Sequence, residues 1–338
     1  MIAPAIELAR HTAVPAVRVR GLSKRYGDLE AVRGIDLDVH SGETFGFLGP
    51  NGAGKSTTIN ILCTLTPPTA GTAQVAGHDV VLERDEVRRH LGLVFQDTTL
   101  DDYLSAEQNL RFHAELYGLP KTIVPERLRT VLEMVGLWDR RLSLVGTFSG
   151  GMKRRLEIAR GLLHSPRVLF LDEPTVGLDP QTRSSIWGYI RELKKSEAIT
   201  IFLTTHYMDE AEYCDRIAIM DAGRIVVLDT PEALKQSVGK DVVQIRTADD
   251  DAAMEALGRV FHVAPVRRDG VVSFDVAEGE RFVPRLFAEL GVPIRSVSVA
   301  RPSLDDVFIS FTGSTIRDAE ASTADKMRAH PFVRRTRT

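Results

Sequence analysis

Residues 49–57 read GPNGAGKST, between the apolar run TFGFLG (44–49) and a segment with helical spacing. Glycine, four residues, then Gly-Lys-Ser is the spacing of a phosphate loop, and a strand before it with a helix behind it is the context such a loop requires. Gly49, Gly52 and Gly54 let backbone amides turn inward and wrap phosphate oxygens where a Cβ would intrude. Pro50, Asn51, Ala53 and Thr57 complete the nucleotide-binding stretch. Lys55 offers a cation to the β- and γ-phosphates, and the Ser56 hydroxyl is placed to reach Mg²⁺. A chance glycine-rich turn would not meet every fixed position in this context.

Short apolar runs alternate with amphipathic helices over the first two thirds of the chain. TFGFLG, HLGLVF (90–95), RVLFLD (167–172) and AITIFLTT (198–205) are compact enough for strands buried on both faces. That pattern predicts an α/β fold with a mostly parallel sheet and helices on its faces. SAEQNLRFHAELYGL (105–119), opened by a serine cap, and PERLRTVLEMVGL (125–137) read as helices inserted among the sheet elements. No internal repeat interrupts the order. Residues 1–16 read as a loose leader, 17–235 as the nucleotide-binding domain with a helical part at about 97–165, 236–313 as a second domain, and 314–338 as a flexible basic tail.

Composition narrows the partners. A formal net charge of −3 gives no global attraction to nucleic acid or an anionic membrane. Two cysteines, Cys63 and Cys214, cannot staple a chain of 338 residues and read as buried thiols of a reducing compartment. The N-terminus lacks the charged start and apolar core of a signal peptide, and no stretch approaches the ~20 apolar residues of a membrane span. A cytoplasmic location is therefore expected. The tail carries Lys326, Arg328, Arg334, Arg335 and Arg337; a solvated end and a contact with acidic head groups or a partner are both open to it.

RVLFLDEPT ends its apolar run on Asp172 and Glu173. Two adjacent acids at the end of a buried strand are costly unless each is paired. One carboxylate suits the Mg²⁺ shell, and the other suits a base for an attacking water. Upstream, TFSGGMKRRLEIAR (147–160) puts a serine and two glycines at the start of a basic helix, a second anion-binding arrangement. One nucleotide needs only one such cradle.

By these motifs, residues 17–230 resemble the ATP-binding subunit of an ABC transporter. VFQDTTL (94–100) resembles the Q-loop, VGLDP (176–180) the D-loop, TTHYMDEAE (204–212) the switch-histidine segment and SKRYGDLEAVRGIDLDV (23–39) the opening strand with its aromatic residue. The resemblance implies a P-loop NTPase core that binds ATP and Mg²⁺. It implies that Tyr26 stacks on adenine, that Ser56, Gln96 and Asp172 attend Mg²⁺, and that Gln96 relays the state of the site. Glu173 is implied as general base, His206 as the partner of the γ-phosphate and Asp179 as reaching the opposite site. Ser149, Gly150 and Gly151 are implied to meet the γ-phosphate bound by a second copy, so that a homodimer encloses two nucleotides. The family's usual leucine-serine-glycine-glycine-glutamine is altered here: Phe148 precedes the serine and Met152 replaces the glutamine, which removes any sugar contact made through that amide. Both changes resemble variants of the exporter branch.

From about 240 the pattern changes. DVVQIRT, DDDAAMEALGRV and HVAPVRRDGVVSFDV predict a strand, a helix and a hairpin turning at Asp269–Gly270. ERFVPRLFAELG, with Phe282, Leu286 and Leu290 one turn apart, and PIRSVSVA add a helix and a strand. The order βαββαβ predicts a ferredoxin-like α+β domain, closed by a helix in RPSLDDVFISFTG that stops at Gly313. LDDVF (304–308) with Phe311, Thr312 and Gly313 resembles the end of daunorubicin-type drug-resistance ATP-binding subunits. That resemblance implies a separately encoded integral-membrane permease of the ABC-2 class, a peripheral place on the cytoplasmic face of the membrane, and export of drugs or other hydrophobic compounds. Export of lipid-linked saccharide, polysaccharide or ions by the same ATPase type is the alternative. A non-transport ATPase acting on DNA or ribosomes is disfavoured, since neither a second nucleotide domain nor a basic stripe is present.

Overall fold

The computed structural model describes residues 14–197, 199–268 and 271–313. The expected leader up to residue 13, the Asp269–Gly270 turn and the basic tail lie outside them. Two compact units divide between Asp229 and Thr230.

The first unit opens with β1 (Val17–Tyr26), β2 (Leu29–Val39) and β3 (Thr44–Leu48), and α1 (Lys55–Leu62) follows the phosphate loop. Then come β4 (Ala70–Val75), β5 (His78–Asp79), α2 (Arg84–His90) and β6 (Leu91–Val94). The helix-rich stretch holds α3 (Ala106–Leu116), α4 (Val124–Met134) and α5 (Gly150–Leu162). β7 (Val168–Asp172), α6 (Pro180–Glu197), β8 (Thr200–Thr205), α7 (Met208–Ala211), β9 (Arg216–Asp221) and β10 (Arg224–Asp229) complete the unit. A six-stranded sheet runs β10-β9-β3-β8-β7-β6, parallel except for β10 at one edge. An antiparallel sheet runs β2-β1-β4-β5.

The expected parallel sheet is present because its strands are apolar on both faces: every residue of β3, β7 and β8 is buried. β1 instead alternates buried and exposed positions over its first half, as an antiparallel strand with one covered face does. Phe45, Phe170 and Phe202 lie in register across β3, β7 and β8, with ring centroids 5.3 Å apart in both pairs. All three are fully buried, and each contributes about 1.5–3 kcal/mol of transfer free energy. This aromatic seam fixes the relative heights of the three strands, and so of the loops that leave their carboxyl ends. α3 begins with the expected Ser105 cap, closed reciprocally by Gln108.

The second unit contains α8 (Pro231–Val238), β11 (Asp241–Thr247), α9 (Asp250–Phe261), β12 (Val266–Arg268) and β13 (Val271–Val276). It ends with α10 (Gly279–Glu289), β14 (Ile294–Ala300) and α11 (Leu304–Thr312). Its antiparallel sheet runs β12-β13-β11-β14, the split βαββαβ arrangement. Val243, Ile245, Leu257, Val272, Phe274 and Leu286 form its core. α11 is capped by Ser303 and Asp306 and ends at Gly313 with φ 74°. It buries Leu304, Val307 and Phe308 and packs on α8. α8 straddles the 235/236 boundary expected from the sequence, and this packing draws the whole helix into the second unit.

Candidate functional site

The loops after β3, β7 and β8 meet at the carboxyl end of the parallel sheet. In the first, Gly54 has φ 109°, and a Cβ there would stand 2.4 Å from the Ala31 carbonyl oxygen. Only glycine fits. No side chain caps the start of α1 and no acid occupies its first turn, so the helix end favours an anion. Lys55 is 4% exposed and folds back, its Nζ donating to the Gly49 (2.6 Å) and Pro50 (3.0 Å) carbonyls.

Asp172 and Glu173 leave β7 beside this loop. Asp172 Oδ1 accepts from the Ser56 hydroxyl at 3.4 Å and from the Thr204 hydroxyl at 2.5 Å. Ser56 and Asp172 thus offer an all-oxygen donor set, which suits a hard cation such as Mg²⁺. Glu173 turns away from the strand with φ 46°, a strained backbone for a side chain of this type. Its amide donates to Thr204 Oγ1 at 3.0 Å. Its carboxylate Oε1 accepts from His206 Nδ1 at 3.2 Å and lies 3.8 Å from Lys55 Nζ. Burial pushes the Glu173 carboxyl up, but the His206 hydrogen bond and the Lys55 charge together outweigh it and hold the group below the usual carboxylate range. A buried, ionised carboxylate beside a histidine and a lysine can accept a proton or orient a water.

Lys55, Ser56, Asp172, Glu173 and His206 are therefore brought together. Other expected site residues lie elsewhere in the chain. Gln96 follows β6 and is exposed, with no hydrogen bond to this group among the described residues. Tyr26 ends β1, 47% exposed, with Lys24 Nζ 4.9 Å from its ring centroid. Asp179 is exposed and caps α6, accepting from the Gln181 and Thr182 amides and the Thr182 hydroxyl. Ser149 caps α5 through the Met152 amide at 3.3 Å and is exposed, as is Gly150. Gly151 is different: a Cβ would meet Thr182 Cγ2 at 2.3 Å. Its glycine serves the close packing of α5 on α6. Phe148 is buried under the Arg140 guanidinium, so it anchors the loop before the cap.

Two residues near the carboxylates were not singled out from the sequence. Thr204 is the register partner of Asp172 and bonds both acids; a hydroxyl ending an otherwise apolar strand beside the acidic one was its signal. Arg154, on α5, is 6% exposed. Its guanidinium donates to the carbonyls of Pro174 (2.6 Å), Asp172 (3.0 Å), Glu173 (3.2 Å) and, by a very short bond, Phe95. It also pairs with buried Glu157 at 3.2 Å, whose other oxygen accepts from the Thr99 amide at 2.9 Å. The sequence marks KRRLE only as the basic start of that helix, but Arg154 follows Gly151 by three residues and so lies on the inward stripe.

A family model for the ABC transporter matches residues 32–176, and one for the C-terminal domain of ATP-binding proteins like DrrA1-3 matches 230–312. The chain is 40% identical over 319 residues to the daunorubicin/doxorubicin resistance ATP-binding protein DrrA of Streptomyces peucetius, covering 91% of this chain and 96% of that protein. It is 37% identical to the linearmycin resistance ATP-binding protein LnrL of Bacillus subtilis, covering 89% and 100%. Among solved structures, a dimeric ATP-binding cassette with ADP and phosphate bound matches with a TM-score of 0.57 at 27% identity, over 63% of this chain and 98% of that one. With 40% identity over nine tenths of its length and both family models matched in order, this chain is a member of the ABC transporter ATP-binding subunits of the daunorubicin/doxorubicin-resistance type.

Proposed function

We propose that two copies of this ATPase enclose two MgATP, and that the dimer works peripherally at the cytoplasmic face of the membrane. It drives a separately encoded integral-membrane permease of the ABC-2 class that exports drugs or other hydrophobic compounds. Lys55 and the amides of residues 49–57 hold the β- and γ-phosphates, and Tyr26 stacks on adenine. Ser56 and Asp172, joined by Gln96, would hold Mg²⁺, which supplies charge neutralisation on the phosphates. Glu173 takes the proton of the attacking water, and His206 hydrogen-bonds the γ-phosphate. Ser149, Gly150 and Gly151 of one copy meet the γ-phosphate held by the other, and Asp179 reaches across the same interface.

The observation that carries this reading is the setting of Glu173: buried, ionised and touched by both His206 and Lys55. The exposed Ser149 cap supports the two-copy part, since one chain leaves a second anion-binding helix start facing outward. The daunorubicin/doxorubicin and linearmycin resistance for which the relatives above are named supports the cargo class.

Glu173→Gln keeps the shape and removes the base. MgATP binding should persist, turnover should fall by about 10²–10⁴, and an ATP-bound dimer should accumulate on size-exclusion chromatography. Phosphate release near the wild-type rate would sink the assignment of the base. Co-expression with the permease should raise resistance to a hydrophobic drug, and the Glu173→Gln form should not.

A further inference from the structure

We propose that His78, Glu86 and His90 form a binding site for one divalent transition-metal ion, with zinc the best match. The three residues come from the β4–β5 hairpin and α2, remote in function from the nucleotide residues. β5 supplies His78, while α2 presents Glu86 and His90 four residues apart, one above the other on a single face. One ligand atom from each of the three lies within 4.8 Å of the other two. The imidazole rings stack, with centroids 5.2 Å apart and planes 20° apart. All three residues are half-buried.

The hydrogen bonds behind the rings favour a ligand over a plain clasp. His78 Nδ1 donates to the Glu83 carboxylate at 3.1 Å, and His90 Nδ1 donates to the Glu86 carbonyl at 2.8 Å. Each imidazole thus has its proton committed at Nδ1 and its lone pair at Nε2. A carboxylate or backbone carbonyl behind the distal ring nitrogen is the usual support of metal-binding histidines, because it fixes tautomer and ring orientation. Glu83 is itself anchored by the Asp79 amide at 2.9 Å. A hairpin clasp needs only the His78–Glu83 bond, which leaves the stacked His90 unexplained.

Two imidazoles and one carboxylate select zinc, nickel, cobalt or copper over magnesium and calcium. Zinc takes nitrogen ligands at about 2.0–2.1 Å, so small side-chain rotations must bring the three groups onto one ion, and water fills the fourth position. Of the cations on α2, Arg88 is engaged with Thr64 Oγ1 at 2.8 Å. Arg89 pairs with Glu86 but its side chain is 69% exposed, free to swing into solvent. The carboxylates of Glu83 and Glu86 offset the incoming charge. His90 directly precedes β6, the strand that leads to Gln96, so a bound ion would tie the hairpin to the start of that strand.

The test uses the full-length chain without a histidine tag. Co²⁺ should be taken up with one-to-one stoichiometry and give visible d–d bands, Zn²⁺ should displace it, and Zn²⁺ should raise the melting temperature. His78→Gln and His90→Gln should each abolish uptake. Glu83→Gln, which keeps all three ligands, should weaken it about 10-fold. Glu83 is 47% exposed in its side chain, so this variant decides the matter if a histidine variant does not melt cooperatively. Failure of the wild-type chain to bind one equivalent, uptake undiminished in His90→Gln, or unchanged affinity in Glu83→Gln would each overturn the site.

Discussion

α1 begins behind Gly54 and α5 behind Ser149, and they leave their first turns in different states. The start of α1 is capped by no side chain, and its charge lies inside the fold: Lys55 doubles back over the loop carbonyls and approaches Glu173. The start of α5 is satisfied by its own Ser149, whose oxygen accepts from the Met152 amide. Neither first turn carries an acid. A serine cap uses the hydroxyl oxygen as acceptor and leaves its hydrogen to donate. α5 can therefore stand complete in a single chain and still offer a donor outward. The loop of residues 49–57 differs in that its lysine turns inward toward the neighbouring carboxylates, with Lys55 Nζ 3.8 Å from Glu173 Oε1.

Arg154 is the physical link between the two regions, and breaking it has the largest expected effect. From α5 it holds four carbonyls at the exits of β6 and β7, together with Glu157. Arg154→Met breaks a buried ion pair and leaves Glu157 with only the more distant Arg160, at 3.8 Å, as counter-charge, a loss of up to about 3–5 kcal/mol, read by thermal or urea unfolding. Arg154→Lys should not rescue it, because an ammonium cannot span the positions that the planar fork reaches. In folded protein, kcat should fall more than ATP affinity, since the loop of residues 49–57 is untouched. A stable Arg154→Met enzyme with wild-type kcat would show that the two helix starts are independent.

Lys55→Ala tests the inward side of the comparison. It removes a charged donor to two carbonyls and the cation next to Glu173. At about 1.5–3 kcal/mol for hydrogen bonds to a charged group, ATP affinity should drop roughly 10- to 100-fold in a fluorescent-nucleotide titration. Unchanged binding would mean that the loop amides alone carry the phosphates.

Ser149→Arg tests the outward side. Losing the cap costs about 1 kcal/mol, while nucleotide binding by the single chain should stay within about twofold, because α5 makes no part of that chain's own cradle. The ATP-dependent dimer should be lost to bulk and charge, as read by sedimentation in the Glu173→Gln background. A normal dimer would show that the α5 start does not face a second nucleotide.

The two regions were also unequally legible. The phosphate loop, Asp172, Glu173 and His206 follow from local order, because each sits at the end of a strand whose apolar run is visible in the chain. The split α+β unit was equally readable from its strand and helix spacing. Arg154 was not, since a cation in a basic run counts as solvated until tertiary packing turns that face inward. Gly151 was legible as part of an anion site, yet its close approach to Thr182 depends on where α6 lies, which no local pattern encodes. Gln96 illustrates the converse. Its place after β6 was predictable, but it is exposed and bonds none of the carboxylate group among the described residues.

The smallest expected effect concerns the charge on Glu173, which separates the inward site from α5, where no first-turn acid exists. Burial alone would raise the Glu173 carboxyl; the His206 bond and the Lys55 charge prevail, so the folded-state value lies below the unfolded one. A depressed carboxyl stabilises the fold above its unfolded pKa of about 4.3, and that stabilisation is lost as pH falls below it toward the folded value. Other carboxylates titrate in the same range, Asp179 among them, held low by the Thr182 hydroxyl. The informative quantity is therefore the difference in melting temperature between wild type and Glu173→Gln, from which these shared contributions cancel. For a net hydrogen bond of about 1 kcal/mol the difference is about 2–4 °C at neutral pH, and it should shrink as the pH drops below about 4. A difference that grows on acidification would mean that burial dominates and that Glu173 is held as an acid, which would remove it as the base.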